Sequence, residues 1–192
     1  MSVTSVEHPK KLAILMGLNY EGDSDARLRG CVNDVHNVRT VLQSVFNYHA
    51  EDIVMLTDFT KNKATHANIC NAFEKLAEQT HNNDTITEVF IHYSGHGAQV
   101  ADNNWIFDSV NKIWKTEEED GKDECMVTQD LNYISDDKLK WLFSQLPSTM
   151  TVFSLMDSCH SGTSFDLKYY LKNINQEVTE ANYDSINANI VM

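Results

Sequence analysis

Four short apolar runs punctuate the chain, and longer amphipathic segments separate them. Residues 11–20, KLAILMGLNY, are apolar without alternation from Leu12 to Met16, the pattern of a strand covered on both faces. Residues 52–58 (DIVMLTD), 85–97 (TITEVFIHYSGHG, a strand running into a Ser-Gly-His-Gly turn) and 150–157 (MTVFSLMD) repeat it. Between the first two runs, Val32, Val35, Val38, Val41, Leu42 and Val45 recur at helical spacing, with Asn33 and Asp34 placed to cap the helix. Residues 63–80 set Ile69, Phe73 and Leu76 on one stripe. Residues 134–146, ISDDKLKWLFSQL, form a third helix that Ser135 caps and Pro147 follows. The polar stretch from Ala98 to Glu124 reads as a long surface loop.

Strand and helix alternate, which predicts an α/β fold with a mostly parallel sheet and helices on both faces. The 192 residues suit one domain with a sizeable core. Residues 1–10 form a short extension, 11–167 the domain, and 168–192 a linker leading to NIVM, the start of a further strand. A chain that stops inside a strand reads as a fragment.

Charge narrows the partners. A net charge of −13 disfavours nucleic acid and anionic membranes, and favours cationic peptides or divalent metals. No apolar run reaches membrane-spanning length, and residues 1–10 lack the apolar core of a secretory signal. The four cysteines, Cys31, Cys70, Cys125 and Cys159, include no CxxC pair. Free thiols in a soluble, cytoplasmic monomer are the simplest expectation.

The chemistry gathers at two strand ends, where ligands of open α/β sheets collect. One strand ends in Tyr93-Ser94-Gly95-His96-Gly97, the other in Asp157-Ser158-Cys159-His160-Ser161-Gly162. If these strands are neighbours, His96 faces Cys159. An imidazole beside a thiol stabilises the nucleophilic thiolate and later protonates a leaving amine. His160 is the poorer base, because adjacent side chains on an extended segment point to opposite sides. The backbone N–H groups of Gly97 and Cys159 are candidates for an oxyanion hole. Taken singly, Cys159 is a small buried residue and His96 a turn histidine; their joint placement outweighs those readings.

YSGHG and DSCHSG, 63 positions apart from His96 to Cys159, resemble the two signatures of the metacaspases, cysteine peptidases of the caspase-like clan. LRGCVNDVHNVRTVL resembles that family's first-helix segment, and EEDGKDE followed by ISDDKL its acidic loop and next helix start. The likeness is collinear from Leu12 to Asp166. It implies a caspase-like fold and cleavage of peptides and proteins after Arg or Lys, with Asp34, Ser94 and Asp157 lining the S1 pocket. Carboxylates there make physical sense, since a buried cation must be paired. It also implies Ca2+, with Asp123, Asp136, Asp137 and Asp166 as ligands; oxygen donors suit a hard cation. Glu117 to Asp120 read instead as a solvated run of like charge. Lys168 and Lys172 are candidate self-cleavage sites.

The resemblance further implies a missing small-subunit segment that would complete the sheet and cleft. Two other readings follow from the same residues. One is a non-catalytic interaction module that binds such a segment through an open sheet edge. The other is a metal-binding domain in which Cys159 plays no part.

Overall fold

A computed structural model describes residues 9–101, 105–108, 113–116, 122–159, 169–171, 178–180 and 189–191, with side chains over 9–101 and 122–159. Five parallel strands form the central sheet: β1 (Lys10–Gly17), β2 (Ile53–Thr57), β3 (Ile86–Ser94), β9 (Thr151–Asp157) and β12 (Asn189–Val191). Their order across the sheet is β12-β9-β3-β1-β2. The intervening strands, in chain order, are β4 (Gly97–Ala101), β5 (Trp105–Asp108), β6 (Ile113–Thr116), β7 (Lys122–Val127) and β8 (Tyr133–Ser135), with β10 (Tyr169–Leu171) and β11 (Val178–Glu180) after β9.

The central strand β1 shows how the period of two builds two cores. Leu12, Ile14 and Met16 point to one face and join Ile69, Phe73, Leu139 and Phe143. Ala13 and Leu15 point to the other and join Val35, Leu42 and Tyr48. The first face is covered by α2 (His66–Asn82) and α3 (Asp136–Ser144), the second by α1 (Cys31–Ser44). Phe73 of α2 meets Phe143 of α3 edge-on, ring centroids 5.5 Å apart. Burying either ring is worth about 2 kcal/mol.

Helix starts are specified locally. The Thr65 hydroxyl accepts from Asn68 N–H, and Ser135 accepts from Lys138 N–H, as expected of N-caps. The first helix departs from expectation. Its N-cap is Gly30, at φ 122°, with no side-chain cap; Asn33 and Asp34 lie inside the helix. Val41 and Val45 are exposed, because the buried stripe of α1 is narrower than the valine repeat.

The expected loop from Ala98 to Glu124 contains strands. β4 pairs antiparallel with β7, β7 with β8, and β5 with β6. Strands this short satisfy their backbone groups by pairing locally, and each carries too few apolar residues in a row to stand out from a loop. The expected strand in NIVM is present as β12, pairing parallel to β9 through Asn189, Ile190 and Val191.

Candidate active site

Neighbouring strands deliver the two turns. β3 pairs with β9, and the last pair of the ladder is Ser94 with Asp157. Gly95 N–H donates to the Asp157 carbonyl at 3.2 Å, carrying the pairing one step beyond the strands. Gly97 then lies against Cys159. A Cβ on residue 97 would overlap the Cys159 carbonyl oxygen and stand 3.2 Å from Ser158 Oγ. Only glycine permits that approach. Cys159 is an exposed free thiol. The expected pairing of the His96 and Cys159 turns at one sheet edge is therefore present, whereas His160 lies outside the described residues.

His96 is held on every side. Its Nε2 is 2.7 Å from the Ala26 carbonyl oxygen. A carbonyl only accepts, so Nε2 carries the proton and Nδ1 is the basic nitrogen. The imidazole lies beside the Tyr20 ring, centroids 4.8 Å apart. The backbone N–H of His96 donates to Tyr20 Oη at 2.9 Å, and its backbone carbonyl accepts from Tyr93 Oη at 2.6 Å and from Val127 N–H at 3.0 Å.

Two residues before His96 and Cys159 lie Ser94 and Asp157, the last pair of the β3–β9 ladder. Ser94 Oγ is 3.3 Å from Asp34 Oδ2 and 3.5 Å from Asp157 Oδ2. Thus α1, β3 and β9 bring Asp34, Ser94 and Asp157 together, across 60 and 63 positions of sequence. The Ser94 hydroxyl has one proton and serves one carboxylate at a time. A residue missed by the sequence reading lies beside them: Cys31, buried at the start of α1. Burial first, then Asp34 and Asp157, push its thiol's pKa up, while the Ser94 hydroxyl opposes the shift. Cys31 precedes Asp34 by one helical turn, a spacing that would have revealed it.

His92 was also missed, because it reads as a strand residue. It is 1% exposed. Its Nδ1 bonds the Leu155 carbonyl at 2.9 Å, and its Nε2 has no hydrogen-bond partner among the described residues. Burial holds its pKa below the usual histidine value, against the opposing pull of the Leu155 carbonyl, Asp157 and Asp34.

The candidate calcium ligands are arranged differently. Asp123 lies on β7, and Asp136 and Asp137 open α3. Asp136 is 1% exposed; its Oδ2 accepts from Glu124 N–H and its Oδ1 from Asp137 N–H, both at 2.8 Å. The Cys125 thiol is pushed up to about 12 by burial first, then by Asp136, Asp123 and Glu124. These carboxylates therefore share one neighbourhood, and their all-oxygen chemistry fits a hard cation. Among the described residues, no three acidic, histidine or cysteine side chains gather closely enough to ligate a metal. Asp166, Lys168 and Lys172 lie outside the described residues.

An imidazole with a fixed tautomer, set against a cysteine turn at one edge of a parallel sheet, is the arrangement cysteine hydrolases use. Comparison with known proteins gives the family. Residues 10–168 match the model described as metacaspase, peptidase C14 domain, and the chain belongs to that family. It is 39% identical over 167 residues to Metacaspase-1 of Cryptococcus neoformans, covering 83% of this chain and 33% of that protein. Metacaspase-1 of Coccidioides immitis is 38% identical over the same shares. The chain thus spans about a third of the length of these curated relatives. A crystal structure of a Geobacter sulfurreducens protein superposes with TM-score 0.57 at 26% identity, covering 84% of this chain and 56% of that one. The fold is the caspase-like α/β architecture expected, a parallel sheet flanked by helices. No described helix is long and apolar enough to cross a membrane.

Proposed function

We propose that this domain carries the nucleophile and base of a cysteine endopeptidase that cuts after Arg or Lys. The observation that carries the specificity is the Ser94 hydroxyl set between Asp34 and Asp157, beside the Cys159 turn. Two carboxylates that converge on one hydroxyl keep acceptor capacity for a cation, and a P1 guanidinium or ammonium supplies one.

The residues support the following sequence of steps. His96 Nδ1 takes the Cys159 proton, its Nε2–H staying on the Ala26 carbonyl. The thiolate attacks the scissile carbonyl carbon. The Gly97 and Cys159 N–H groups stabilise the oxyanion. His96 then gives its proton to the leaving amine, and water hydrolyses the thioester. Asp34, Ser94, Asp157 and Cys31 hold the P1 side chain.

We further propose that Asp123, Asp136 and Asp137, with Asp166, hold a calcium ion. When bound, the ion would neutralise like charges and order the chain around them. Substrates are peptides and proteins. The free thiols Cys31, Cys70, Cys125 and Cys159 support a reducing compartment such as the cytoplasm.

The test is turnover of fluorogenic Arg and Lys peptides with calcium and with excess chelator. Cys159→Ala is expected to abolish turnover, a loss of more than about 10⁴-fold, and His96→Ala nearly so. Equal turnover by Cys159→Ala would sink the endopeptidase reading; equal turnover in chelator would sink the calcium reading.

A further inference from the structure

Two buried phenols meet at the His96 turn. Tyr20 and Tyr93 are each about 1% exposed or less, and their hydroxyl oxygens are 3.2 Å apart. They come from different elements: Tyr20 follows β1, and Tyr93 lies near the end of β3. Each hydroxyl has one proton. Two carbonyls need donors, those of His96 and Val127, and one amide, His96 N–H, needs an acceptor. Tyr20 Oη–H donates to the Val127 carbonyl at 2.7 Å and accepts from His96 N–H at 2.9 Å. Tyr93 Oη–H donates to the His96 carbonyl at 2.6 Å. Tyr93 Oη also stands 2.9 Å from the Val127 carbonyl, so its one proton has two acceptors within reach. Every polar backbone atom of His96 is thereby engaged by a phenol.

We propose that Tyr20 and Tyr93 are positioning residues for His96: they fix the backbone of the base so that its Nδ1 meets the Cys159 thiol. This rests on the reading of His96 as the base. Neither phenol touches the substrate; both act through His96. Two further observations agree. The Tyr20 ring packs beside the imidazole, so the same residue that binds the His96 N–H also limits ring rotation. Gly95 has no side chain because a Cβ there would meet Tyr93 Oη at 2.6 Å and Tyr20 Oη at 3.0 Å. The glycine before the histidine thus leaves the space that the phenol pair fills. Burial raises the pKa of both hydroxyls, which keeps them as neutral donors at working pH.

The experiment is site-resolved alkylation of Cys159 by iodoacetamide across pH, read by mass spectrometry on the full chain. It needs no turnover. Tyr93→Phe and Tyr20→Phe are compared with wild type, with His96→Ala and with Tyr48→Phe. Tyr48 is a buried phenol bonded to Glu88 at 2.6 Å, away from the two strand-end turns, and serves as the structural control. The expected result is a Cys159 alkylation rate near neutral pH lowered about tenfold in each site variant, with the rate profile moved towards higher pH. Tyr48→Phe is expected to keep the wild-type profile even where its melting temperature falls. If His96→Ala changes the profile while both tyrosine variants superpose on wild type, the positioning role is wrong. If His96→Ala itself leaves the profile unchanged, the base assignment fails instead. Should one tyrosine variant fail to fold, the other decides, since each removes a different bond to His96.

Discussion

Two groups of acids in this domain put their carboxylates to different use. Asp34 and Asp157 converge on one hydroxyl, that of Ser94, at 3.3 and 3.5 Å. Neither carboxylate accepts a backbone N–H bond among the described residues, and Asp157 is exposed. Asp136 is buried, and both its oxygens accept backbone N–H groups: Glu124 N–H joins β7 to α3, and Asp137 N–H closes the first turn of α3. The first arrangement retains acceptor capacity for a cation that arrives with a substrate. The second uses a carboxylate as a strut. Sequence proximity to an aspartate motif does not distinguish them; hydrogen-bond partners do.

The largest effect that would break this contrast is on specificity. Asp157→Asn is expected to lower kcat/KM for Arg substrates about 100-fold or more, as truncating one partner of a buried charge pair does. A peptide with a neutral P1 residue should lose far less. Equal losses for both peptides would mean that Asp157 shapes the turn and does not read the cation. Next comes stability. Asp136→Ala is expected to cost about 3 kcal/mol in denaturant unfolding, because two buried N–H groups lose a charged acceptor. Asp34→Ala should cost less than about 1 kcal/mol, being half-exposed and not a cap. If the two costs were alike, the distinction between pocket and strut would fail.

The sequence made the parallel core and the pairing of the two turns legible, for a physical reason. β1, β2, β3 and β9 are apolar runs, and α2 and α3 carry cap residues whose side chains act locally. Those signals survive in one dimension. The strands within residues 97–127 were not legible, because they are short, lie among charged residues and gain their stability from pairing. The cap of α1 was missed since a glycine at positive φ replaces the side-chain cap. Within the site, His96 and Cys159 were expected from the motifs at two strand ends, and Asp34, Ser94 and Asp157 from the family resemblance. Cys31, His92 and the two phenols were not, since each reads as core until the third dimension shows its partner. Tyr20 lies 76 positions from the amide it accepts from.

A smaller effect concerns metal. Asp137→Asn and Asp123→Asn are expected to raise the calcium concentration needed for half-saturation about tenfold, measured by calorimetry on the full chain. Asp34→Asn should leave it unchanged. A shift produced by Asp34→Asn alone would reverse the assignment of the two groups. Asp136→Asn separates strut from ligand: it should lower stability with calcium absent as well as present.

The smallest effect lies behind the first group. His92 feels Asp157 and Asp34, yet burial dominates and its folded pKa lies below the ordinary value of about 6.5. Between the two values the unfolded chain binds more protons than the folded one, so stability rises with pH there. The contribution is complete above about pH 6.5 and is lost as pH falls toward the folded value. Denaturant unfolding from pH 8 to pH 5 should therefore show a decline that His92→Asn flattens, since an asparagine amide still reaches for the Leu155 carbonyl but takes no proton. Asp157→Asn should steepen the same decline, because it removes a charge that favours the protonated ring. The strut group predicts no such coupling: Asp137→Asn should leave the His92-dependent slope where it was. A slope that followed Asp137 and ignored Asp157 would place the histidine behind the wrong acids.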